Sequence, residues 1–122
     1  MTTSELATVL AWHDALNAAD LDTLLALSSD DIEIGDAGGA AQGHAALRDW
    51  AQALDVKVEP GRIYVNEGVV VVEQQTVSVT GERGSGASAF RVVHDRVTSV
   101  FRHDSLEAAL AATELTEADL TG

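Results

Sequence analysis

The sequence predicts an α+β domain in which three N-terminal helices cover one face of a curved antiparallel sheet. Apolar residues recur at helical spacing in the first part of the chain, and from Val56 to His103 they alternate with a period of two. Helices followed by a run of neighbouring strands are typical of α+β packing, with the helices on one side of the sheet. At 122 residues the chain has room for one domain, residues 1–122, with a polar tail from about residue 113.

The N-terminal elements begin at recognisable signals. Thr2 followed by Glu5 fits a capping box that opens the first helix, and Asp20 can cap a short second helix. Residues 32–34 alternate as a short strand, which leads into a glycine-rich segment, 35–43, predicted as a flexible loop. The third helix has one apolar face at helical spacing: Leu47, Trp50, Ala51 and Leu54.

The second half of the chain is predicted to form successive antiparallel strands. Their predicted ranges are 56–66, 69–80, 87–93 and 96–103. Asn66-Glu67-Gly68 and His94-Asp95 supply tight turns, and residues 81–86 form a flexible tip. Asp104 or Ser105 caps a last helix over residues 106–112.

Composition excludes several classes of function. The net charge is −13, from 20 acidic and seven basic residues, so phosphate backbones and anionic membrane surfaces would be repelled. The chain has no cysteine, which excludes disulfides and thiolate metal sites. The longest aliphatic run, 69–72, is too short to span a bilayer, and the N-terminus lacks the features of a signal peptide. We therefore expect a cytoplasmic protein that binds neither nucleic acid nor membrane.

Three stretches of the chain carry a family pattern. They are Ala15-Leu16-Asn17-Ala18-Ala19-Asp20-Leu21-Asp22, Gly43-His44-Ala45-Ala46-Leu47-Arg48-Asp49-Trp50, and the ending from Phe90-Arg91-Val92 through Arg96-Val97-Thr98 to His103-Asp104. Together they resemble the SnoaL-like and ketosteroid isomerase-like proteins of the nuclear transport factor two-like superfamily. The resemblance implies a cone-shaped barrel with an internal pocket. Because this superfamily includes enzymes and non-catalytic modules, the fold does not settle the function.

The resemblance also implies where catalytic groups would lie. In ketosteroid isomerases an aspartate base moves a proton while a tyrosine and a protonated aspartate hold the enolate oxygen. Placed on this chain, the base position falls on Asp36, the tyrosine position on Trp12 and the second aspartate position near Ser88. An indole N–H can donate a hydrogen bond but cannot act as an acid, so steroid isomerisation is not expected. The alternative for Asp36 is a loop aspartate that caps its own turn beside Gly38.

The remaining predicted ligand contacts come from the third helix and the strands. With Trp12 and Ser88 they form the expected pocket wall: Trp50, Val72, Gln74, Phe90 and Arg102. The aromatic side chains can stack on a flat ligand or simply pack in the core. Arg102 can hold a carbonyl or carboxylate, pair with Asp36, or bridge to an exposed acid. Neither His94 nor His103 has a second histidine or carboxylate at convincing ligand spacing, so a metal is not expected, and the chemistry considered needs no cofactor.

These observations give one leading function and three further expectations. The leading hypothesis is a protein that encloses a small, mostly apolar, neutral or cationic molecule, with Asp36 as general base in a cofactor-independent isomerisation or cyclisation. The alternatives are a non-catalytic ligand-binding or dimerisation module and, as a narrower option, water activation for epoxide hydrolysis by Asp36, Arg102 and Asp104. By resemblance we also expect a homodimer through the exposed sheet face, to which four valines contribute apolar surface: Val69, Val71, Val77 and Val79.

Overall fold

The fold is described by a computed structural model over residues 2–36, 38–54 and 56–121, with the side chains of the first helix from Glu5 onward. The described residues form four α-helices, six strands and one 3-10 helix. In chain order these are α1 (Thr2–Asn17), α2 (Leu21–Ala26), β1 (Ser28–Asp36), β2 (Gly39–Gln42), α3 (His44–Ala53), β3 (Val56–Asn66), β4 (Val69–Ser78), β5 (Arg83–Val93), β6 (Arg96–His103), α4 (Leu106–Thr113) and a 3-10 helix (Glu117–Asp119).

All six strands belong to one curved sheet in the order β2-β1-β6-β5-β4-β3. The predicted α+β class is confirmed, and the sheet does not close into a complete barrel. The sheet is mixed rather than purely antiparallel, because β1 pairs parallel to β6 while the other neighbours are antiparallel. The strands from β3 to β6 reverse direction at each hairpin, and this succession brings β6 beside β1 with the same direction.

Two of the predicted helix caps are present, whereas the side chain of Thr2, proposed with Glu5 as a capping box, lies outside the described residues. Asp20 Oδ1 accepts a hydrogen bond from the backbone N–H of Thr23 at 3.2 Å and so begins α2. Of the two candidates for the last helix, Ser105 is the cap, since its Oγ accepts from the N–H of Ala108 at 3.1 Å.

Two segments predicted as flexible loops instead contain paired strand. Within residues 35–43, Gly39–Gln42 forms β2, whose Gln42 pairs with Glu33 of β1. In the predicted tip, 81–86, residues 81 and 82 do lie outside the strands. The rest of that segment is strand, because β5 already begins at Arg83, which pairs with Val77. Glycine content misled the prediction in both places, because a short hairpin needs glycine at its turn and tolerates it in the strand.

The main core lies between helices α1 to α3 and one side of the sheet, which we call the inner face. Alternation along β4 directs Val70, Val72 and Gln74 to the inner face, where each is buried. Helices and strands together supply the apolar residues of this core: Val9, Trp12, Leu24, Ile32, Ile34, Leu47, Val70, Val72, Phe90 and Val100.

The opposite side of the sheet, the outer face, is partly covered by α4 and the residues that follow it. A second apolar cluster forms there from Tyr64, Val71, Ala87, Ala109 and Leu115. The polar tail continues across the sheet, where Leu120 bridges to Tyr64 and the N–H of Thr121 donates to the carbonyl of Ile63 at 2.8 Å. Val71 was expected to offer apolar surface to a second copy, but it is fully buried beneath the chain's own last helix.

Candidate functional site

The interior beneath α1 holds several of the predicted pocket residues, packed against one another. Trp12, His13 and Phe90 are each 1 % exposed. The ring centroids of Trp12 and Phe90 lie 5.3 Å apart with an interplanar angle of 76°, and those of His13 and Phe90 are also 5.3 Å apart. These are edge-to-face and tilted contacts of the kind that stabilise aromatic cores, so these side chains fill the space that the resemblance assigned to a ligand.

The indole N–H of Trp12 is already used within the protein. Nε1 of Trp12 donates to Oγ of Ser28 at 3.0 Å, and that hydroxyl donates in turn to the carbonyl of Leu24 at 2.8 Å. Trp12 stands at the position of the oxyanion-binding tyrosine, yet its only donor points to Ser28 rather than to open space.

Ser88 belongs to a second buried polar chain, which links it to Gln74 and His13. The ring nitrogen Nδ1 of His13 lies 2.8 Å from the carbonyl of Val9; because a carbonyl only accepts, Nδ1 carries the proton. Nε2 of His13 therefore accepts from the Gln74 amide at 2.9 Å, and Gln74 Oε1 accepts from the Ser88 hydroxyl at 2.7 Å. Every bond in the chain has a defined direction, and the Ser88 hydroxyl is also bound internally.

The imidazole at the end of this chain is neutral. Burial lowers the pKa of His13 below its usual value, and the carbonyl of Val9 and the charge of Asp14 oppose that shift only partly. The helical spacing of Val9, His13 and Leu16 places His13 on the apolar face of the first helix, but it assigns the imidazole no role. Its partner Gln74 lies on a strand far along the chain, so no local pattern could have revealed the pair.

Three of the predicted site residues meet at the mouth of the fold instead. A cavity of about 390 Å³ lies between α3 and the ends of β1, β2 and β6. Trp50 of α3, half-buried, lies on one side, with its ring centroid 6.0 Å from that of Trp12. Among the described residues, Asp36 and Arg102 are the two ionisable ones in its lining, and the others are small or apolar: Ile34, Gly35, Gly38, Gly39, Ala40, Ala41 and Val100. We call this cavity the mouth site.

Asp36 and Arg102 are neighbours because β1 and β6 are parallel. Gly35 pairs with Phe101, so the next residue of each strand, Asp36 and Arg102, lies at the same edge of the sheet. Asp36 is exposed, and its Oδ1 accepts from the N–H of Gly38 at 2.8 Å, which is the turn-capping interaction that the glycine-rich segment allows. No ion pair joins Asp36 to Arg102 in the part of the chain that the structure describes.

Arg102 is half-buried, and its guanidinium lies over the inner face of β5. Its cross-strand partner is Ser88, and a Cβ built on Gly86 would come within 3.7 Å of Arg102 Nη2. At that distance an added Cβ would make ordinary van der Waals contact, so the guanidinium lies close beside the backbone of β5. Asp104, the second carboxylate considered for water activation, is exposed and likewise forms no ion pair with Arg102 among the described residues.

A larger groove of about 1130 Å³ lies on the outer face beside α4 and extends to the end of the sheet, where Asp36 and Arg102 line it as well as the mouth site. Phe101, Ala89 and Ala108 give it an apolar floor and wall, while Glu33 and Arg91 contribute opposite charges. Arg91 pairs with Ser99, and Ser99 pairs with Glu33, so these three residues form one row across β5, β6 and β1. We call this groove the outer groove.

Two further observations concern metal ligands and membrane-spanning helices. Across residues 2–36, 38–54 and 56–121, no cluster of three or more His, Asp or Glu side chains could hold a metal ion. No helix in these ranges is long and apolar enough to cross a membrane. The cytoplasmic location expected from the sequence stays a prediction.

Comparison with known proteins assigns the family. A family model described as a SnoaL-like domain matches residues 9–105, and the chain therefore belongs to the SnoaL-like family. A search of curated proteins finds no significant match.

Solved structures agree on the fold. An NTF2-like protein of unknown function from Cytophaga hutchinsonii superposes with a TM-score of 0.75 at 12% identity, covering 85% of this chain and 92% of that one. A candidate ketosteroid isomerase from Kribbella flavida has a TM-score of 0.75 at 19% identity, with 81% and 76% covered. A candidate polyketide cyclase from Sinorhizobium meliloti has a TM-score of 0.73 at 20% identity, with 80% and 94% covered. At these identities the similarity establishes the NTF2-like fold alone.

Proposed function

We propose that this protein binds a small, mostly apolar molecule at the mouth site. The observation that carries the proposal is the cavity of about 390 Å³, with the aromatic ring of Trp50 at one side and two opposite charges in an otherwise small and apolar lining. A few polar groups in an apolar concavity are typical of small-molecule sites, where the apolar wall supplies binding energy and the polar groups fix orientation.

Fluorescence of a neutral, flat probe, N-phenyl-1-naphthylamine, tests the binding proposal. We expect the probe to bind the wild type, and Trp50→Ala to weaken binding about 5- to 150-fold, since loss of a stacking surface costs on the order of 1 to 3 kcal/mol. Val79→Ala is the matched control, because Val79 is 86% exposed and lies outside the mouth. Equal affinity of the wild type and Trp50→Ala would show that the probe binds elsewhere and would remove the mouth as the site.

For the catalytic form of this function, we propose Asp36 as the general base. Its carboxylate lines the same cavity as Arg102, so a proton could pass to Asp36 while the guanidinium stabilises the oxyanion that develops on a neighbouring carbonyl. Both donors expected by resemblance, Trp12 and Ser88, are bound internally, which favours Arg102 for the oxyanion role.

Proton exchange separates a catalyst from a binding module. We expect the wild type to accelerate deuterium incorporation next to the carbonyl of 2-tetralone, followed by NMR in D₂O, and Asp36→Asn to lose about 10²-fold or more of that rate. Asp31→Asn removes an exposed carboxylate from the same strand outside the cavity and serves as the control. If the wild type gives no exchange, it does not catalyse proton transfer on this class of ketone; if Asp36→Asn keeps the full rate, Asp36 is not the base.

We also propose a homodimer through the outer groove. The row Arg91-Ser99-Glu33 supports it, because a two-fold axis near Ser99 would set Arg91 of each copy against Glu33 of the other. The apolar contact would come from Phe101 and Ala89 rather than from the buried Val71. Phe101→Asp should give a monomer in sedimentation velocity, whereas Val79→Asp at the exposed hairpin tip should not; a wild type that sediments as a monomer at high concentration would refute the proposal.

A further inference from the structure

Arg102 is half-buried, and its guanidinium has no partner among the described residues. In a chain with 20 acidic residues, Arg102 forms no ion pair and no side-chain hydrogen bond with any of the described residues. Arg62 shows the contrast, since its Nε and Nη2 both donate to the Glu73 carboxylate, at 3.0 and 3.1 Å. A guanidinium that loses part of its hydration without gaining an acceptor is costly, and its planar array of donors matches a planar oxyanion.

The mouth site provides space for such an oxyanion beside an apolar wall. Of the residues that the structure describes, Arg102 is the one cation in its lining, and Trp50, Ile34 and Val100 supply aromatic and aliphatic surface. Asp36 is the one acidic residue in the described part of that lining, and one of its oxygens is engaged with Gly38. A ligand with one carboxylate would neutralise Arg102, whereas a second carboxylate would lie near Asp36 and be repelled.

We infer that the mouth site selects a flat, apolar monocarboxylate, whose carboxylate pairs with Arg102 while its ring packs against Trp50. This inference rests on the proposed binding at the mouth and names the class of ligand. It differs from the neutral or cationic ligand that the net charge of −13 suggests, because one unpaired guanidinium inside the cavity acts at short range while the surface charge is screened by salt.

Three related probes test the selectivity: 2-naphthoate, its neutral analogue 2-naphthamide and 2,6-naphthalenedicarboxylate. Their dissociation constants come from ¹⁵N-correlation NMR titrations of the full chain, with the indole N–H of Trp50 reporting binding at the mouth. We expect the wild type to bind the naphthoate about tenfold or more tighter than the naphthamide, as charge-assisted hydrogen bonds allow, and to bind the dicarboxylate more weakly than the naphthoate.

Variants test whether the preference for a carboxylate comes from the Arg102 guanidinium or from the overall charge of the protein. Arg102→Gln should remove the preference for carboxylate over amide, and Arg102→Lys should restore only part of it, because an ammonium lacks the planar fork. Arg96→Gln makes the same charge change on the same strand, at an exposed position outside the cavity, and should keep the full preference.

The outcomes distinguish this inference from the proposed function. If naphthoate and naphthamide bind equally and both shift Trp50, the mouth site stands and the selectivity for a carboxylate is wrong. If the carboxylate preference survives in Arg102→Gln, Arg102 is not the anchor and the inference is also wrong. If neither probe shifts Trp50, the proposed binding at the mouth and the inference fail together.

Discussion

Ser28 and Ser29 are adjacent serines whose hydroxyls differ completely in hydrogen bonding. The Ser28 hydroxyl accepts from Trp12 Nε1 at 3.0 Å and donates to the carbonyl of Leu24 at 2.8 Å. The Ser29 hydroxyl is buried and has no partner among the described residues. Ser28→Ala leaves the indole N–H of Trp12, itself 1 % exposed, without an acceptor, and such an orphaned donor costs about 1 to 3 kcal/mol. Ser29→Ala instead removes a buried hydroxyl that forms no hydrogen bond with the described residues. We therefore expect the free energy of unfolding to stay unchanged or to rise by up to about 1 kcal/mol.

Urea unfolding followed by far-ultraviolet circular dichroism measures both free energies. This signal does not depend on the tryptophan environment, which the Ser28 substitution changes. We expect the two variants to differ by about 2 kcal/mol in their free energy of unfolding, with Ser28→Ala the less stable. Because the substitutions are identical and adjacent, strand propensity and side-chain volume cancel in the comparison. Equal destabilisation by both substitutions would refute the assignment of the Trp12 hydrogen bond as the cause.

Two further predictions concern the buried imidazole and the C-terminal segment. Burial depresses the pKa of His13 below the usual 6.5. As the pH falls below about 6.5, the unfolded chain therefore takes up a proton at His13 while the folded chain does not. The free energy of unfolding then decreases by up to about 1.4 kcal/mol per pH unit until the pH reaches the pKa of the folded state. His13→Asn should lose this part of the slope in urea titrations between pH 7.5 and 5.5, while His94→Asn, at an exposed turn, should keep it; an unchanged slope in His13→Asn would contradict the argument. Leu115→Ala should cost about 2 to 3 kcal/mol because Leu115 is 7% exposed against the outer face, whereas Leu120→Ala, at 40% exposure, should cost below about 1 kcal/mol. Similar losses for both leucines in thermal unfolding would mean that the segment after α4 does not pack as described.

The sequence was sufficient for the parts of the fold that depend on local signals. Asp20 as a cap, the tight turn at His94-Asp95 and the strand over Arg96–His103 all follow from residue type and spacing, and each is present. His94 and Asp95 both adopt positive φ, of 52° and 62°, as a two-residue hairpin turn requires.

The parts that were not predictable depend on pairing between distant segments. β2 consists of glycine, alanine and glutamine, which carry no strand signal, and it exists because its backbone pairs with β1. The burial of Val71 beneath α4 likewise depends on how the last helix docks on the outer face. The alternation along β4 correctly places Val72 and Val71 on opposite faces of the sheet. It does not show which face another part of the same chain will cover.

The candidate site likewise combines features that local sequence predicts with features that depend on contacts between distant segments. The resemblance placed Asp36, Trp12 and Ser88 at the three catalytic positions of ketosteroid isomerases, whereas the structure separates these residues into two places. Trp12 and Ser88 end in internal hydrogen bonds, to Ser28 and Gln74, that depend on side-chain geometry in three dimensions. Asp36 remains at the open edge of the sheet, where its accessible oxygen can meet a ligand.

The parallel pairing of β1 with β6 is the feature that creates the mouth site. In an antiparallel pair the end of one strand lies beside the start of the other, so Asp36 at the end of β1 would have met the beginning of β6, at Arg96. The parallel register instead places Asp36 beside Arg102, and it sets both residues next to the glycines and alanines of the β1–β2 hairpin, which leave the cavity open. Gly35 illustrates how tight this arrangement is, since a Cβ there would lie 2.8 Å from Phe101 and 2.9 Å from Ala40. The mixed sheet therefore brings together a carboxylate, a guanidinium and an apolar wall that lie in separate parts of the sequence, and any function of the mouth site depends on that one parallel pair.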